Sequence, residues 1–171
     1  LYPIPAKQGT TGAEGLGRGL SVGVLLEEDD LLGRIGVVFH EFCHSLYAVQ
    51  PLELQESIHT FFEGSDSIHA GPTQRLLDEA LATAIGNGWI PPSFAGKGYI
   101  PDKHWYNDHY IDTLAHGIYP LVNRYLRKHN EIDSSFLNQA IETAAELLPQ
   151  MPFEFDSIFF QGLRFFSISR F

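Results

Sequence analysis

Residues 31–50 read LLGRIGVVFHEFCHSLYAVQ, and this stretch predicts the helix around which the rest of the chain is organised. Apolar side chains recur in it every three or four positions, which is the period of an amphipathic helix. They are Leu31, Leu32, Ile35, Val38, Phe39, Phe42, Leu46 and Val49. His40 and His44 project from the opposite side, one turn apart. Gly33 and Gly36 lie along the histidine side, which predicts that another backbone packs closely there.

The same stretch carries an H-E-x-x-H motif, formed by His40, Glu41 and His44. Two imidazoles four positions apart on a helix can bind one metal ion from the same face. A catalytic zinc ion uses three protein ligands and one water, and the glutamate beside the first histidine acts as general base on that water. The motif predicts one zinc ion bound by both histidines, with Glu41 as the base. The alternative is an ordinary helix with a polar surface.

The composition sets limits on the other classes of function. The chain has 171 residues, of which 44% are hydrophobic and 19% charged, and this predicts a single globular domain over residues 1–171. A net charge of −10 argues against a nucleic-acid partner. The single cysteine, Cys43, excludes an internal disulfide, and we expect it to pack rather than to bind metal. No apolar run is long enough for a transmembrane segment.

The N-terminal part is expected to supply a strand ahead of the motif helix. Residues 1–18 are rich in glycine, proline and threonine and predict a loop or an extended arm. Residues 19–28 favour a strand, and Asp29 or Asp30 is the expected N-cap of the motif helix. The chain begins at Leu1 rather than Met and shows no signal peptide, so we expect that an upstream segment is missing. The sequence does not identify the cellular compartment.

The remaining chain predicts helices separated by short connections. Pro51 ends the motif helix, and Gly86-Asn87-Gly88 are expected to stop the next well-formed helix. The predicted helices cover residues 52–62, 73–85, 107–127 and 133–148, with a loop at 63–71, a connection at 89–103 and a kink at Pro120. The tail, residues 151–171, holds seven phenylalanines. We expect this aromatic surface to be covered by the protein itself, by a partner or by a missing segment.

Glu79 is the acidic residue best placed to reach the motif helix. It lies at the edge of the apolar side of the helix predicted over residues 73–85, next to small residues that permit a close approach between helices. Those neighbours are Ala82, Thr83 and Gly86. Three other glutamates compete for the place of a third ligand. They are Glu53, Glu56 and Glu63.

The motif followed by a glutamate on a downstream helix resembles the gluzincin metallopeptidases. The resemblance implies that His40, His44 and Glu79 bind zinc, that Glu41 is the catalytic base, and that a peptide or protein is the substrate. It also implies a zincin-like α+β fold that is mainly helical, in which a small sheet packs on the motif helix and a second helix carries the glutamate ligand. Many gluzincins have an aspartate four residues after that glutamate, where this chain has Thr83.

The metzincin class is disfavoured. Its pattern needs a glycine three residues and a histidine six residues after the second histidine of the motif. Tyr47 and Gln50 occupy these positions here.

A peptidase also needs a donor for the negative charge that develops on the carbonyl oxygen. Gluzincins commonly use a histidine or tyrosine after the third ligand. The candidates are His109, Tyr110, His116 and Tyr119. We favour His116 as a catalytic residue, because Asp112 lies one turn before it and is suited to orient it. The alternative for each candidate is a position on a solvated helix face.

The sequence therefore predicts a zinc-dependent hydrolase, most simply a metallopeptidase. One alternative is a catalytically inactive, peptidase-like binding domain whose metal is structural or lost and whose function lies in the aromatic tail. Another is a metal hydrolase that acts on a non-peptide amide.

Overall fold

Helices dominate the computed structural model, which describes residues 12–16, 19–23, 31–95 and 103–155. This confirms the mainly helical part of the predicted fold class. The helices are α1 (Leu31–Ala48), α2 (Leu52–Glu63), α3 (Ala70–Thr83), a π-helix (Ala84–Trp89), α4 (Ile90–Ala95), α5 (His109–Lys128) and α6 (Ser134–Leu147). A further helical turn covers residues 151–155. None of the helices in the described ranges is long and apolar enough to cross a membrane.

Two short strands precede the helices and form an antiparallel hairpin that contacts α1. They are β1 (Gly12–Leu16) and β2 (Gly19–Gly23), and their register pairs Gly12 with Gly23 and Leu16 with Gly19. β1 falls where a loop or an extended arm was predicted, and β2 begins where the strand was predicted. Residues 24–30, which include the expected N-cap Asp29 or Asp30, lie outside the described residues. Among the residues that the structure describes, the sheet consists of these two strands, and the zincin-like sheet stays a prediction.

The hydrophobic core belongs to α3, α5 and α6. Leu114, Ile118 and Phe136 are its largest fully buried apolar side chains in the helices, and Met151 closes it from the C-terminal turn. α5 and α6 each begin at a side-chain cap. Asp108 accepts hydrogen bonds from the backbone amides of two residues in the first turn of α5, and Asp133 accepts one from Phe136 at the start of α6. The core forms a platform on which α1 lies.

α1 turns its histidine side inward. Gly36 and His40 are buried against the π-helix, whereas Phe42, Leu46 and Val49 on the apolar side are 45%, 45% and 58% exposed. An amphipathic pattern ordinarily identifies the buried side of a helix. Here close backbone packing has determined the buried side instead, which fits the prediction made from Gly36.

The helix that follows α2 continues past its predicted stop. Gly86-Asn87-Gly88 do not end it but lie within the π-helix, which leads directly into α4. The predicted connection is therefore helical over residues 90–95. A Cβ atom on Gly86 would lie 2.8 Å from the backbone nitrogen of His40, and one on Gly88 would lie 2.6 Å from the ring of Trp105. Both glycines serve close packing rather than helix termination, and this is why the prediction was wrong.

Candidate metal site

Three side chains of metal-binding type converge where α1 crosses α3. The Nε2 atoms of His40 and His44 are 3.1 Å apart. Glu79 places one carboxylate oxygen 3.3 Å from the Nε2 atom of His40 and the other 3.4 Å from that of His44. Within the residues that the structure describes, these three form the only such group suited to hold a metal ion. The structure thus brings together the three residues that the sequence predicted as ligands.

The spacing of these atoms suits a tetrahedral ion. Bonds of about 2.0–2.1 Å to zinc place neighbouring ligand atoms about 3.3–3.4 Å apart. The two Nε2 atoms, and each Nε2 atom with its own nearest oxygen of Glu79, are separated by distances within 0.3 Å of that spacing. One oxygen of Glu79 is also buried without a hydrogen-bond donor. A buried carboxylate oxygen with no donor favours a bound cation, so the residues fit the metal.

Asp78 fixes the orientation of His44. Its carboxylate lies 3.0 Å from the Nδ1 atom of His44, so Nδ1 carries the proton and Nε2 keeps its lone pair. That lone pair faces an oxygen of Glu79, and two acceptors at 3.4 Å have no proton to share. Asp78 thus supplies a carboxylate partner of the kind that the sequence lacked at Thr83, which is buried instead.

His40 is electrically suited to bind a metal. Burial lowers its pKa below the ordinary value and the neighbouring imidazole of His44 acts in the same direction, whereas the carboxylates of Glu79 and Glu41 oppose them. A metal binds the neutral imidazole, so burial favours the required state.

Glu41 lies near the ligand cluster, whereas the glutamates that competed with Glu79 for the place of the third ligand do not. Glu41 is half-buried, and its charge acts on both His40 and Tyr106. The competitors lie on α2 with exposed side chains and do not belong to the metal-binding group of the described residues. They are Glu53, Glu56 and Glu63.

Tyr106 is a site residue that the sequence analysis missed. Its ring stacks on that of His40, with centroids 6.0 Å apart and planes inclined by 18°. Burial and the nearby carboxylate of Glu79 raise its pKa, so the phenol keeps its proton at neutral pH. A protonated phenol beside the ligand cluster is a hydrogen-bond donor. Tyr106 lies in a loop without periodicity, and its only signal was an aromatic residue shortly before Asp108, the N-cap of α5.

His116, the predicted catalytic donor, packs against Trp105 and Asp112, whereas Tyr106 stacks on the predicted ligand His40. Its ring stacks on Trp105 with centroids 3.7 Å apart, and its Nε2 atom is buried 3.6 Å from Asp112. Its contacts therefore connect it to the loop that carries Tyr106.

The other three donor candidates on α5 also have partners of their own. His109 lies 3.3 Å from the hydroxyl of Thr113, Tyr110 packs on Phe155 and Tyr119 packs on Trp105. The catalytic role of His116 stays a prediction.

A groove runs beside Tyr106, with a volume of about 510 Å³. Its wall includes all five residues from His104 to Asp108. Tyr106 lines this groove and its ring stacks on His40, whereas the described lining residues do not include His40, His44 or Glu79.

Cys43 stays outside the ligand group, as expected. Burial and the charge of Asp78 raise the pKa of its thiol to about 11. The protonated thiol is a poor metal ligand at neutral pH.

Comparison of the chain with protein-family models, with curated proteins and with solved structures finds no match.

Proposed function

We propose that the protein is a zinc-dependent hydrolase, and that it is a metallopeptidase of the gluzincin type with a zincin-like arrangement of its motif helix. The observation that carries the proposal is the convergence of the Nε2 atoms of His40 and His44 and the two carboxylate oxygens of Glu79, with separations of 3.1 to 3.4 Å. These residues would hold one zinc ion through three protein ligands and leave a position for water, which is the pattern of a catalytic site.

Zinc held by these residues would acidify that water and polarise the substrate carbonyl. Glu41 accepts the proton of the water and passes it to the leaving amine. Tyr106 donates a hydrogen bond to the carbonyl oxygen as negative charge develops on it, and its raised pKa keeps this donor protonated. Asp78 holds His44 in the tautomer that directs Nε2 to the metal.

The groove along residues 104–108 is the proposed binding place for a peptide substrate. Its aromatic and polar wall provides contact area and hydrogen-bonding groups for an extended chain. Tyr106 lines the groove and also stacks on His40, so it connects a peptide bound in the groove with the ligand cluster.

The first experiment is to measure the zinc content and the peptide hydrolysis of the wild type and four variants. We expect one zinc ion per wild-type chain, weaker binding in His44→Ala and Glu79→Ala, and wild-type binding in Glu53→Ala, an exposed α2 control. Glu41→Gln should keep zinc and lose hydrolysis. Hydrolysis by zinc-loaded Glu41→Gln would remove Glu41 as the base, and full affinity in Glu79→Ala would remove the third ligand.

A second candidate function is that of a binding domain, and the exposed apolar side of α1 favours it. Phe42, Leu46 and Val49 present apolar surface of the kind that marks interaction sites. A protein that binds zinc without cleaving any peptide, or that binds no zinc, would support this candidate over the peptidase.

A further inference from the structure

The loop that carries Tyr106 is held by a carboxylate that does not belong to the ligand cluster. We define residues 103–108 as the tyrosine loop. It runs into α5, where Asp108 caps the first turn. Asp112 lies one turn into that helix and is 9% exposed. Its side chain points towards the tyrosine loop, which precedes its own helix.

Asp112 binds three consecutive residues of the tyrosine loop. One carboxylate oxygen accepts hydrogen bonds from the backbone amides of Trp105, at 2.8 Å, and Tyr106, at 3.1 Å. The other oxygen lies 3.1 Å from the Nδ1 atom of His104. Burial alone would raise the pKa of Asp112, but these hydrogen bonds outweigh it, so the pKa is lowered and the carboxylate is charged at neutral pH.

Trp105 anchors the same loop from its other side. Its indole stacks on His116, packs edge-on against Tyr119 and reaches Gly88 in the π-helix. Asp112 thus fixes the backbone of Tyr106, and the side chain of Trp105 packs between α5 and the π-helix. This leaves little freedom for the backbone that carries the phenol ring onto His40.

From these contacts we infer that Asp112 is a positioning residue that acts on the metal site through Tyr106. It makes no contact with His40, His44 or Glu79; it sets the backbone from which Tyr106 reaches them. The inference deepens the proposed function and rests on it for any effect on catalysis. The position of the loop itself can be measured without metal.

The first test is amide hydrogen exchange in the metal-free protein. Asp112→Ala removes both acceptor oxygens, and we expect the amides of Trp105 and Tyr106 to exchange roughly 10- to 100-fold faster, as for lost bonds to a charged group. Asp112→Asn keeps one acceptor and should show a smaller effect in a folded chain. Asp133→Ala is the matched control, because it removes a carboxylate that accepts a backbone hydrogen bond at the start of a different helix and should leave residues 103–108 unchanged. Unchanged exchange in both Asp112 variants would overturn the inference.

The second test separates positioning from general stability. Zinc affinity and kcat are measured for Asp112→Asn, Tyr106→Phe and the double variant. If Asp112 acts through Tyr106, its substitution lowers kcat in the wild type and has no further effect in Tyr106→Phe. An equal loss in both backgrounds would overturn the inference.

A wild-type chain that binds no zinc would defeat the proposed function alone. In that case nuclear Overhauser contacts between the rings of Tyr106 and His40 decide the inference. They should weaken in Asp112→Asn and persist in Asp133→Ala. Contacts of equal strength in the wild type and Asp112→Asn would overturn it.

Discussion

Gly36 of α1 and Gly86 of the π-helix lie backbone against backbone. A Cβ atom on Gly36 would be 2.7 Å from the carbonyl oxygen of Gly86, and a Cβ atom on Gly86 would be 2.5 Å from that of Gly36. Real side chains do not tolerate such distances. This contact brings α1 close enough to its neighbours for His40 and Glu79 to meet, and it explains why the histidine side of α1 is the buried side.

Gly36→Ala should force the two helices apart. We expect a loss of about 1–3 kcal/mol in the free energy of unfolding, as for overpacked interiors. Zinc affinity should fall as well, because the two histidines move with α1 while Glu79 stays on α3. Thermal unfolding and zinc titration measure the two effects. Gly71→Ala is the control, since a Cβ atom there meets nothing within 4 Å; equal behaviour of the two variants would contradict the close packing.

Asp78→Asn should weaken zinc binding without unfolding the protein. The amide can still accept a hydrogen bond from His44, but it lacks the charge that supports the imidazole as a ligand. Loss of such an outer partner typically costs 10- to 100-fold in metal affinity, and we expect roughly tenfold here. Competition with a calibrated chelator gives the affinity. Asp66→Asn, at an exposed position between α2 and α3, should bind zinc like the wild type. Undiminished affinity in Asp78→Asn would remove its proposed role.

Gly88→Ala should displace the tyrosine loop. The new methyl group would lie 2.6 Å from the indole of Trp105, so the indole must leave its place beside His116. We expect a shifted Trp105 fluorescence spectrum, measured in a Trp89→Phe background, and reduced hydrolysis. Gly64→Ala, in the turn after α2, should change neither. A spectrum identical to that of the parent would mean that Trp105 does not occupy the space above Gly88.

Cys43 should resist thiol reagents in the metal-free protein. With a pKa of about 11 against an ordinary 9.0, it holds far less reactive thiolate at pH 8. Modification should be roughly 100-fold slower than for an ordinary thiol, and should accelerate about tenfold per pH unit between pH 8 and 10. Burial is the larger cause and Asp78 the smaller, so Asp78→Asn should react somewhat faster. Rapid modification of the folded wild type at pH 8 would contradict the burial of this thiol.

Periodicity predicted most of the helices because their signals are local. The bounds of α1, α2 and α6 agree with the predictions to within two residues. The prediction failed at Gly86-Asn87-Gly88, where glycine was taken to stop a helix. Whether a glycine ends a helix or admits a neighbour depends on what packs against it, which a local pattern does not contain.

The ligand cluster was predictable and its surroundings were not. A histidine pair on one helical face and a carboxylate beside small residues already limit how two helices can meet, and the structure brings His40, His44 and Glu79 together. Asp78 and Tyr106 depend on the angle at which elements cross and on the path of a loop. For the same reason the position of His116 behind Trp105 could not be read from α5 alone.

The π-helix also determines which side of the following helix, α4, faces α1. An α-helix turns by about 100° per residue, whereas a π-helix closes its hydrogen bonds over one residue more. Each residue of the π-helix therefore turns by a smaller angle, which changes the direction in which the following side chains point. Because of this change, Glu79 before the π-helix and Pro91 after it face the same helix, α1. Removal of a single residue between Ala84 and Trp89 would restore ordinary winding and rotate α4 away from Gly36, although every ligand would still be present in the sequence.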